Sequence, residues 1–143
     1  CALPIYREKT SEVDLRKNGR LDFLGHTFSY DRDLKGGGWR YLNIAPSKKS
    51  LKRARETIRA RTGPKTCFKP TPEIVGELNE YLRGWGQYFS FGYPRKAYNA
   101  LNRYTQQRMV THLNRRSQRK YRRPKGMTHY AYLYQRLNLQ CLR

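Results

Sequence analysis

Residues 78–92 read Leu-Asn-Glu-Tyr-Leu-Arg-Gly-Trp-Gly-Gln-Tyr-Phe-Ser-Phe-Gly, and this stretch decides the fold. Together with Ile74, just before this stretch, its apolar residues recur at steps of three and four: Leu78, Leu82, Trp85 and Phe89. That spacing lines one face of a helix, and such a face must be buried against partners. We therefore expect a central helix that packs against the apolar stripes within residues 51–58 and 98–112.

Two glycines interrupt this predicted helix. Gly84 and Gly86 each cost about 1 kcal/mol relative to alanine in a helix interior. Their presence predicts that a backbone, a side chain or a nucleic-acid strand comes close there. Tight packing between helices, without any ligand, is the alternative explanation.

The flanking sequence predicts further helices. Ser47 stands where an N-cap belongs, before a helix over residues 48–62 that Gly63-Pro64 ends. A Pro-Thr-Pro linker leads to the central helix, with Thr71 as its expected cap. A long helix is predicted over residues 95–121, and its buried seam would consist of Tyr98, Leu101, Thr105, Met109 and His112. A closing helix over residues 128–138 would bury Tyr130, Leu133, Tyr134 and Leu137.

The sequence before residue 47 is typical of β-structure. Strands are predicted over residues 12–15, 21–30 and 39–45, and the glycine-rich stretch 31–38 would form a flexible hairpin tip. The expected fold class is therefore α+β, mainly α, with an N-terminal β-hairpin region followed by a bundle of about four helices. The predicted domain boundaries are 1–46 and 47–143.

The charge of the chain is extreme and unevenly distributed. Its 31 Lys and Arg residues face 10 Asp and Glu residues, which gives a net charge of +21. Every acidic residue lies at or before Glu80, so residues 81–143 carry cations alone. Such charge favours a polyanionic partner. The 12 Tyr, 2 Trp and 5 Phe residues favour nucleic acid over an anionic membrane surface, because aromatic rings stack on bases. The same aromatic content argues against a disordered chain.

Several other classes of site and location are disfavoured. Cys1, Cys67 and Cys141 form no Cys-x-x-Cys pair, and the histidines do not join them at a zinc-ligand spacing, so we expect no metal site. A mean hydropathy of −0.99 argues against a membrane span. We expect reduced thiols, no signal peptide and a cytoplasmic, bacterial-type intracellular location. The start at Cys1 favours a fragment of a longer chain.

Three stretches resemble the C-terminal part of group II intron-encoded reverse transcriptases, which are also maturases. Lys9-Thr10, followed by Phe23-Leu24-Gly25, is similar to the last blocks of the reverse transcriptase palm. Pro46-Ser47-Lys48 is similar to the start of the thumb, or X domain. Leu82-Arg83-Gly84-Trp85-Gly86-Gln87-Tyr88-Phe89 is similar to the signature of the maturase-specific domain. The third motif is the most specific of the three.

The resemblance implies roles for individual residues. Lys9 matches a palm lysine that acts near the leaving phosphate of the incoming nucleotide. Phe23, Leu24 and Gly25 match the primer grip. Residues 1–46 would then be the end of the palm, and 47–143 the thumb and maturase-specific domain. RNA-binding roles are implied for Lys48, Lys49, Lys52, Arg53, Arg59, Arg83, Trp85, Tyr88, Arg115, Arg116, Arg119, Lys120, Arg122 and Arg123.

The resemblance also implies function and partners. The leading hypothesis is binding of structured group II intron RNA, which assists its folding and splicing. The alternatives are a thumb that clamps the template-primer duplex of an active polymerase, with a possible DNA target, and a generic basic nucleic-acid-binding module. The chain lacks the Tyr-x-Asp-Asp block, so alone it is not expected to polymerise. No cofactor is expected from this chain, and Mg²⁺ would belong to the missing polymerase site and to the RNA.

Overall fold

A computed structural model describes residues 12–33 and 35–143. Lys9 lies outside the described residues, and so does its neighbour Thr10. The strands are β1 (Arg20–Phe23), β2 (His26–Arg32) and β3 (Arg40–Pro46), and the helices are α1 (Lys48–Arg61), α2 (Thr71–Tyr88), α3 (Arg95–Arg115) and α4 (His129–Ala131). Short 3-10 helices span Leu15–Lys17 and Pro64–Thr66, and a π-helical turn, Tyr132–Arg136, continues α4. The expected fold class, α+β and mainly α, is confirmed.

The three strands form an antiparallel sheet in the order β1-β2-β3. The predicted strand over residues 21–30 is two strands, because a turn at Leu24 and Gly25 brings Phe23 opposite His26. The strand predicted over residues 12–15 is wrong. Asp14 instead caps the first 3-10 helix by accepting a hydrogen bond from the Arg16 amide at 2.9 Å, a local bond that competes with strand pairing.

The core forms around α2, as its apolar periodicity predicts. All five residues of the predicted face are buried: Ile74, Leu78, Leu82, Trp85 and Phe89. Helix α1 contributes Ala54 and Ile58, and the predicted seam of α3 is buried along its whole length. Ser47 caps α1 by accepting the Ser50 amide at 3.1 Å, as expected. At α2 the predicted cap is displaced by one residue, since Thr71 is the first helical residue and Pro70 precedes it.

The two glycines of α2 have different surroundings. A Cβ on Gly86 would lie 2.7 Å from Cδ2 of Leu142, so this glycine makes room for the C-terminal residues. A Cβ on Gly84 would meet nothing within 4 Å. The predicted close approach is therefore confirmed at Gly86 as intramolecular packing, and no described residue approaches Gly84.

Two asparagine side chains hold the C-terminal segment. Asn79 donates to the carbonyl of Asn138 at 2.8 Å and accepts the amide of Gln140 at 2.6 Å. Asn102 likewise donates to the carbonyl of Leu142 at 2.9 Å and accepts its amide at 3.0 Å. In a sheet, a neighbouring strand would satisfy such backbone groups, and here the two side chains do so. The four bonds hold the segment whose Leu139 and Leu142 are buried in the core.

The C-terminal helices are shorter than predicted. Helix α3 ends at Arg115 instead of residue 121, because its buried seam ends at Leu113 and every charged residue that follows is basic. The closing helix is one α-turn and one π-turn. Leu133 is buried as predicted, Tyr134 and Leu137 are half-buried against the core, and Tyr130 is 52% exposed.

His112 is fully buried on α3, where its Nδ1 donates to the carbonyl of Thr62 at 3.3 Å. Burial lowers its pKa, and the nearby Arg116, Arg108 and Arg115 oppose its protonation further. Folding therefore favours the neutral form of the imidazole.

We predict that Asn102→Ala lowers the free energy of unfolding by about 1–3 kcal/mol, because the backbone of Leu142 loses both partners. Asn99→Ala is the matched control, since Asn99 is exposed on the same helix and should change stability by less than about 0.5 kcal/mol. Urea unfolding of both variants measures the difference. Equal losses would contradict the role of Asn102.

We predict that His112 makes stability fall in acid. Its pKa is lower in the folded than in the unfolded chain, so the unfolded state gains protons first as pH drops below about 6.5. Stability should then fall by up to about 1.4 kcal/mol per pH unit. The measurement is urea unfolding between pH 7.5 and 5, with His112→Gln as the variant whose slope should be flatter. Parallel pH profiles would refute this assignment.

Candidate nucleic-acid interface

The turn between β1 and β2 has an unusual backbone. Leu24 and Gly25 both have positive φ, at 49° and 80°. A two-residue hairpin turn needs this geometry, and glycine adopts it readily. For Leu24 the left-handed conformation costs about 1–2 kcal/mol. Its side chain is 68% exposed, so burial of this side chain does not offset the cost. Backbone strain of this kind is common at binding sites.

Hydrogen bonds from two helices hold the turn in place. The carbonyl of Gly25 accepts the amide of Ser47 and the hydroxyl of Ser50, both at 2.8 Å. The carbonyl of Leu24 accepts the hydroxyl of Tyr88 at 2.9 Å. The turn is thereby fixed between the first residues of α1 and the last residue of α2, and these contacts offset the strain at Leu24.

An open groove of about 450 Å³ lies beside this turn, and we call it the turn groove. Its walls come from the turn, from α1 and from α2: Leu24, Gly25, Ser50, Arg53, Tyr81, Trp85, Tyr88 and Phe89. Five of these residues are among those for which the sequence predicted a role: Leu24, Gly25, Arg53, Trp85 and Tyr88. The third primer-grip residue, Phe23, ends β1 and is 59% exposed.

The two predicted aromatic contacts differ in accessibility. Trp85 is only 9% exposed and packs against Phe89 and Tyr98, with ring centroids 4.5 Å and 6.0 Å away. Tyr88 is 56% exposed. Trp85 thus forms part of the groove wall from within the core, and Tyr88 presents the ring on which a base could stack.

The predicted basic side chains are all exposed: Lys48, Lys49, Lys52, Arg53, Arg59, Arg83, Arg115, Arg116, Arg119, Lys120, Arg122 and Arg123. Among the described residues, Lys69 is the only cation that forms ion pairs, and it pairs with Glu73, at 3.4 Å, and with Glu77. The hydrogen bond to Glu77 raises the pKa of Lys69. No carboxylate in the described chain pairs with any of the predicted RNA-binding cations.

The basic segment after α3 extends over the surface without helical structure. Arg119, Lys120, Arg122 and Arg123 are exposed along it, and Arg116 donates to the hydroxyl of Thr71. Tyr121 anchors the segment, with its ring centroid 6.0 Å from that of Tyr132. Burial raises the pKa of Tyr121 to about 12, so its phenol stays neutral. This segment and Arg83 lie outside the turn groove, so the predicted cations occupy several separate surfaces.

Comparison with protein families identifies the helical part of this arrangement. The model of the family described as "Group II intron, maturase-specific domain" matches residues 51–131, which is more than half of the 143-residue chain. The chain belongs to this family. Comparison of the chain with curated proteins and with solved structures gave no significant match.

The match locates the maturase-specific domain within the chain. It begins in α1 and includes α2, α3 and the basic segment, so it contains Arg53, Trp85 and Tyr88. The strained turn and Lys48 precede it. Among residues 12–33 and 35–143, no cluster of three His, Cys, Asp or Glu side chains could hold a metal ion, and no helix is long and apolar enough to cross a bilayer.

Sequence reasoning missed Ser50, whose hydroxyl joins the turn to α1. It also did not predict the left-handed backbone of Leu24, because hairpin turns of this type usually show Asn-Gly or Asp-Gly. The glycine at position 25 was the one available indication. Its position between two alternating segments could have predicted a turn there.

We predict that Gly25→Ala destabilises the protein more than Gly36→Ala does. Both glycines have positive φ, so each alanine should cost about 1–2 kcal/mol. At Gly25 the new Cβ would also lie 2.9 Å from Oγ of Ser50, whereas at Gly36 it would meet no described residue within 4 Å, so Gly25→Ala should cost about 1–3 kcal/mol more. Chemical unfolding measures both losses. Equal losses would show that the turn is not held against α1.

Proposed function

We propose that this maturase domain binds structured group II intron RNA and assists its folding and splicing. The observation that supports this most directly is the turn groove, where Arg53 and the exposed ring of Tyr88 face a strained, fixed turn. A cation beside a stacking ring suits an unpaired nucleotide in a folded RNA, since sequence-specific RNA recognition uses loops and bulges.

The charge supports the same proposal. Exposed cations without carboxylate partners release counterions when they neutralise phosphates, so binding should be strong and steeply dependent on salt. Neutralised phosphates repel one another less, and the RNA can then adopt a compact fold. In this proposal the protein positions the RNA, while the splicing chemistry belongs to the RNA and to the Mg²⁺ that it binds. The proposal requires no cofactor from this chain.

The exposed turn supports a second candidate function in a longer chain. As the C-terminal part of an intron-encoded reverse transcriptase, residues 1–46 would end the palm, and Phe23, Leu24 and Gly25 would serve as its primer grip. The strain at Leu24, held by Tyr88, favours a contact with a primer strand at this point. The thumb would then clamp a template-primer duplex, and a DNA target would be a further partner. Lys9 retains its proposed role near the leaving phosphate.

We predict that the protein binds folded group II intron RNA at least about tenfold more tightly than unstructured RNA of equal length, because folded RNA presents fixed phosphates and unpaired bases. Filter binding at physiological salt measures both affinities. A template-primer duplex in the same assay tests the second candidate. Equal affinity for every nucleic acid would favour a generic basic module over both.

Within that assay, Tyr88→Ala should weaken binding of folded RNA by about 1–3 kcal/mol, the usual contribution of one stacked base. Tyr88→Phe keeps the ring and loses the bond to Leu24, so it separates stacking from the fixed turn. Tyr130→Ala is the matched control, since this tyrosine is also about half exposed but lies outside the groove. If Tyr88→Ala bound normally while an Arg115 and Arg116 double substitution abolished binding, simple electrostatics would explain the affinity.

A further inference from the structure

A second basic groove lies between α1 and α3, and no sequence motif pointed to it as a groove. Its larger part, about 610 Å³, is lined by Glu56, Arg59, Ala60, Gly63, Pro64, Lys65, Arg108 and Arg115. An adjoining hollow of about 200 Å³ is lined by Arg59, Tyr104, Gln107, Arg108 and Thr111. Arg59 and Arg108 line both, so the two form one surface, which we call the α1–α3 groove.

Arg108 is held in place at the centre of the α1–α3 groove. Its Nε donates to the hydroxyl of Thr62 at 3.3 Å, and its Nη2 reaches the carbonyl of Thr62 at 3.5 Å. Thr62 is fully buried and follows the last turn of α1. Because these acceptors are neutral, the guanidinium keeps its full charge. Its Nη1 donates no hydrogen bond to any described residue, so it is available to a ligand in a fixed orientation.

The charge around Arg108 is not neutralised from within. Arg59, Lys65 and Arg115 line the same groove and face one carboxylate, that of Glu56. None of these cations forms an ion pair with Glu56. Tyr104 lies at one end, with the guanidinium of Arg55 5.9 Å from its ring centroid. Cations around a fixed guanidinium fork suit a phosphodiester backbone, whose paired oxygens match that fork.

The α1–α3 groove is separate from the turn groove. Arg53 lines the turn groove, and Arg59 lines the α1–α3 groove. These two residues are six positions apart on α1, so they point roughly 120° away from each other around the helix axis. Helix α1 is therefore a ridge with a basic groove on each side. An RNA chain held on both sides would be contacted at two points of its fold.

We infer that the α1–α3 groove is a second binding site for the RNA backbone, in which Arg108 contacts a phosphodiester group while Arg59 and Arg115 contact neighbouring phosphates. This inference rests on the proposed RNA-binding function and adds to it the residues and the chemical group. Arg59 and Arg115 also lie in the last turns of α1 and α3, where the helix dipoles stabilise them. A purely stabilising role is thus the competing explanation.

The test compares two double substitutions that remove equal charge. Arg59→Gln with Arg115→Gln changes exposed residues of the groove, whereas Arg103→Gln with Arg136→Gln changes exposed arginines that line neither groove. Binding of folded group II intron RNA and of unstructured RNA is measured over a range of salt concentrations. Removal of two phosphate contacts should flatten the slope of log K against log salt by roughly 1.4 to 1.8. The groove variant should bind on the order of tenfold or more weakly, and the control variant less than about threefold.

Single substitutions of Arg108 test whether its guanidinium binds phosphate through two hydrogen bonds. Arg108→Lys keeps the charge but cannot reproduce the bidentate geometry, so it should bind more weakly than the wild type and more tightly than Arg108→Gln. Thermal melting of each variant separates folding from binding. A lowered melting temperature with unchanged RNA affinity in both the groove pair and Arg108→Lys would establish the stabilising role and overturn the inference.

Equal losses in the groove and control pairs would also overturn the inference, because they would show that only total charge matters. Failure of the proposed function is recognised differently. It would appear as equal binding of folded and unstructured RNA by the wild-type protein. The loss of affinity in the groove double variant, relative to the control double variant, can be measured with either RNA. The two failures are therefore distinguishable.

Discussion

Repulsion between unpaired positive charges is the constraint on which this structure depends. The chain carries a net charge of +21. Within the described residues, Lys69 is the only cation that forms an ion pair with a carboxylate. Self-repulsion of this kind destabilises a compact state. The apolar face of α2, which shares one core with residues of α1 and α3, offsets it, together with the C-terminal segment that Asn79 and Asn102 hold in place. A bound polyanion would relieve the repulsion, which links the stability of this maturase domain to its proposed partner.

The same constraint explains how the surface is arranged. Cations that cannot pair with carboxylates are spread over exposed helix faces, and α1 therefore has basic residues on both of its sides. On one side Arg53 lies beside Tyr88 and the strained turn, and on the other Arg59 lies beside the anchored Arg108. Neutral groups position the key side chains, with the hydroxyl of Tyr88 holding Leu24 and Thr62 holding Arg108. Fixing these groups without neutralising the cations keeps the positive charge available to phosphates.

Much of the helical core could be predicted, and the reasons are local. Ser47 caps α1 as expected, and the seam from Tyr98 to His112 is buried, because periodicity and capping depend on neighbours in sequence. Apart from the strand expected over residues 12–15, where a local bond at Asp14 prevails, the errors lie where distant contacts override local preference. The turn at Leu24 needs Tyr88, 64 residues away, and the C-terminal segment covers the core only because Asn102 bonds to it across 40 residues. The end of α3 at Arg115 is set by the loss of a buried face.

The sequence by itself determined the central helix, its apolar partners, the excess of positive charge and the resemblance to maturases. The first three follow from residue type and spacing, and the resemblance rests chiefly on the motif at residues 82–89. The tertiary structure alone decided that Trp85 lies mostly in the core while Tyr88 is exposed, and that Leu24, Arg53 and Tyr88 meet in one groove. It also decided that Arg108 is anchored at the centre of another groove. The physical reason is that exposure and convergence depend on which helix faces pack together, and packing is a property of the whole chain.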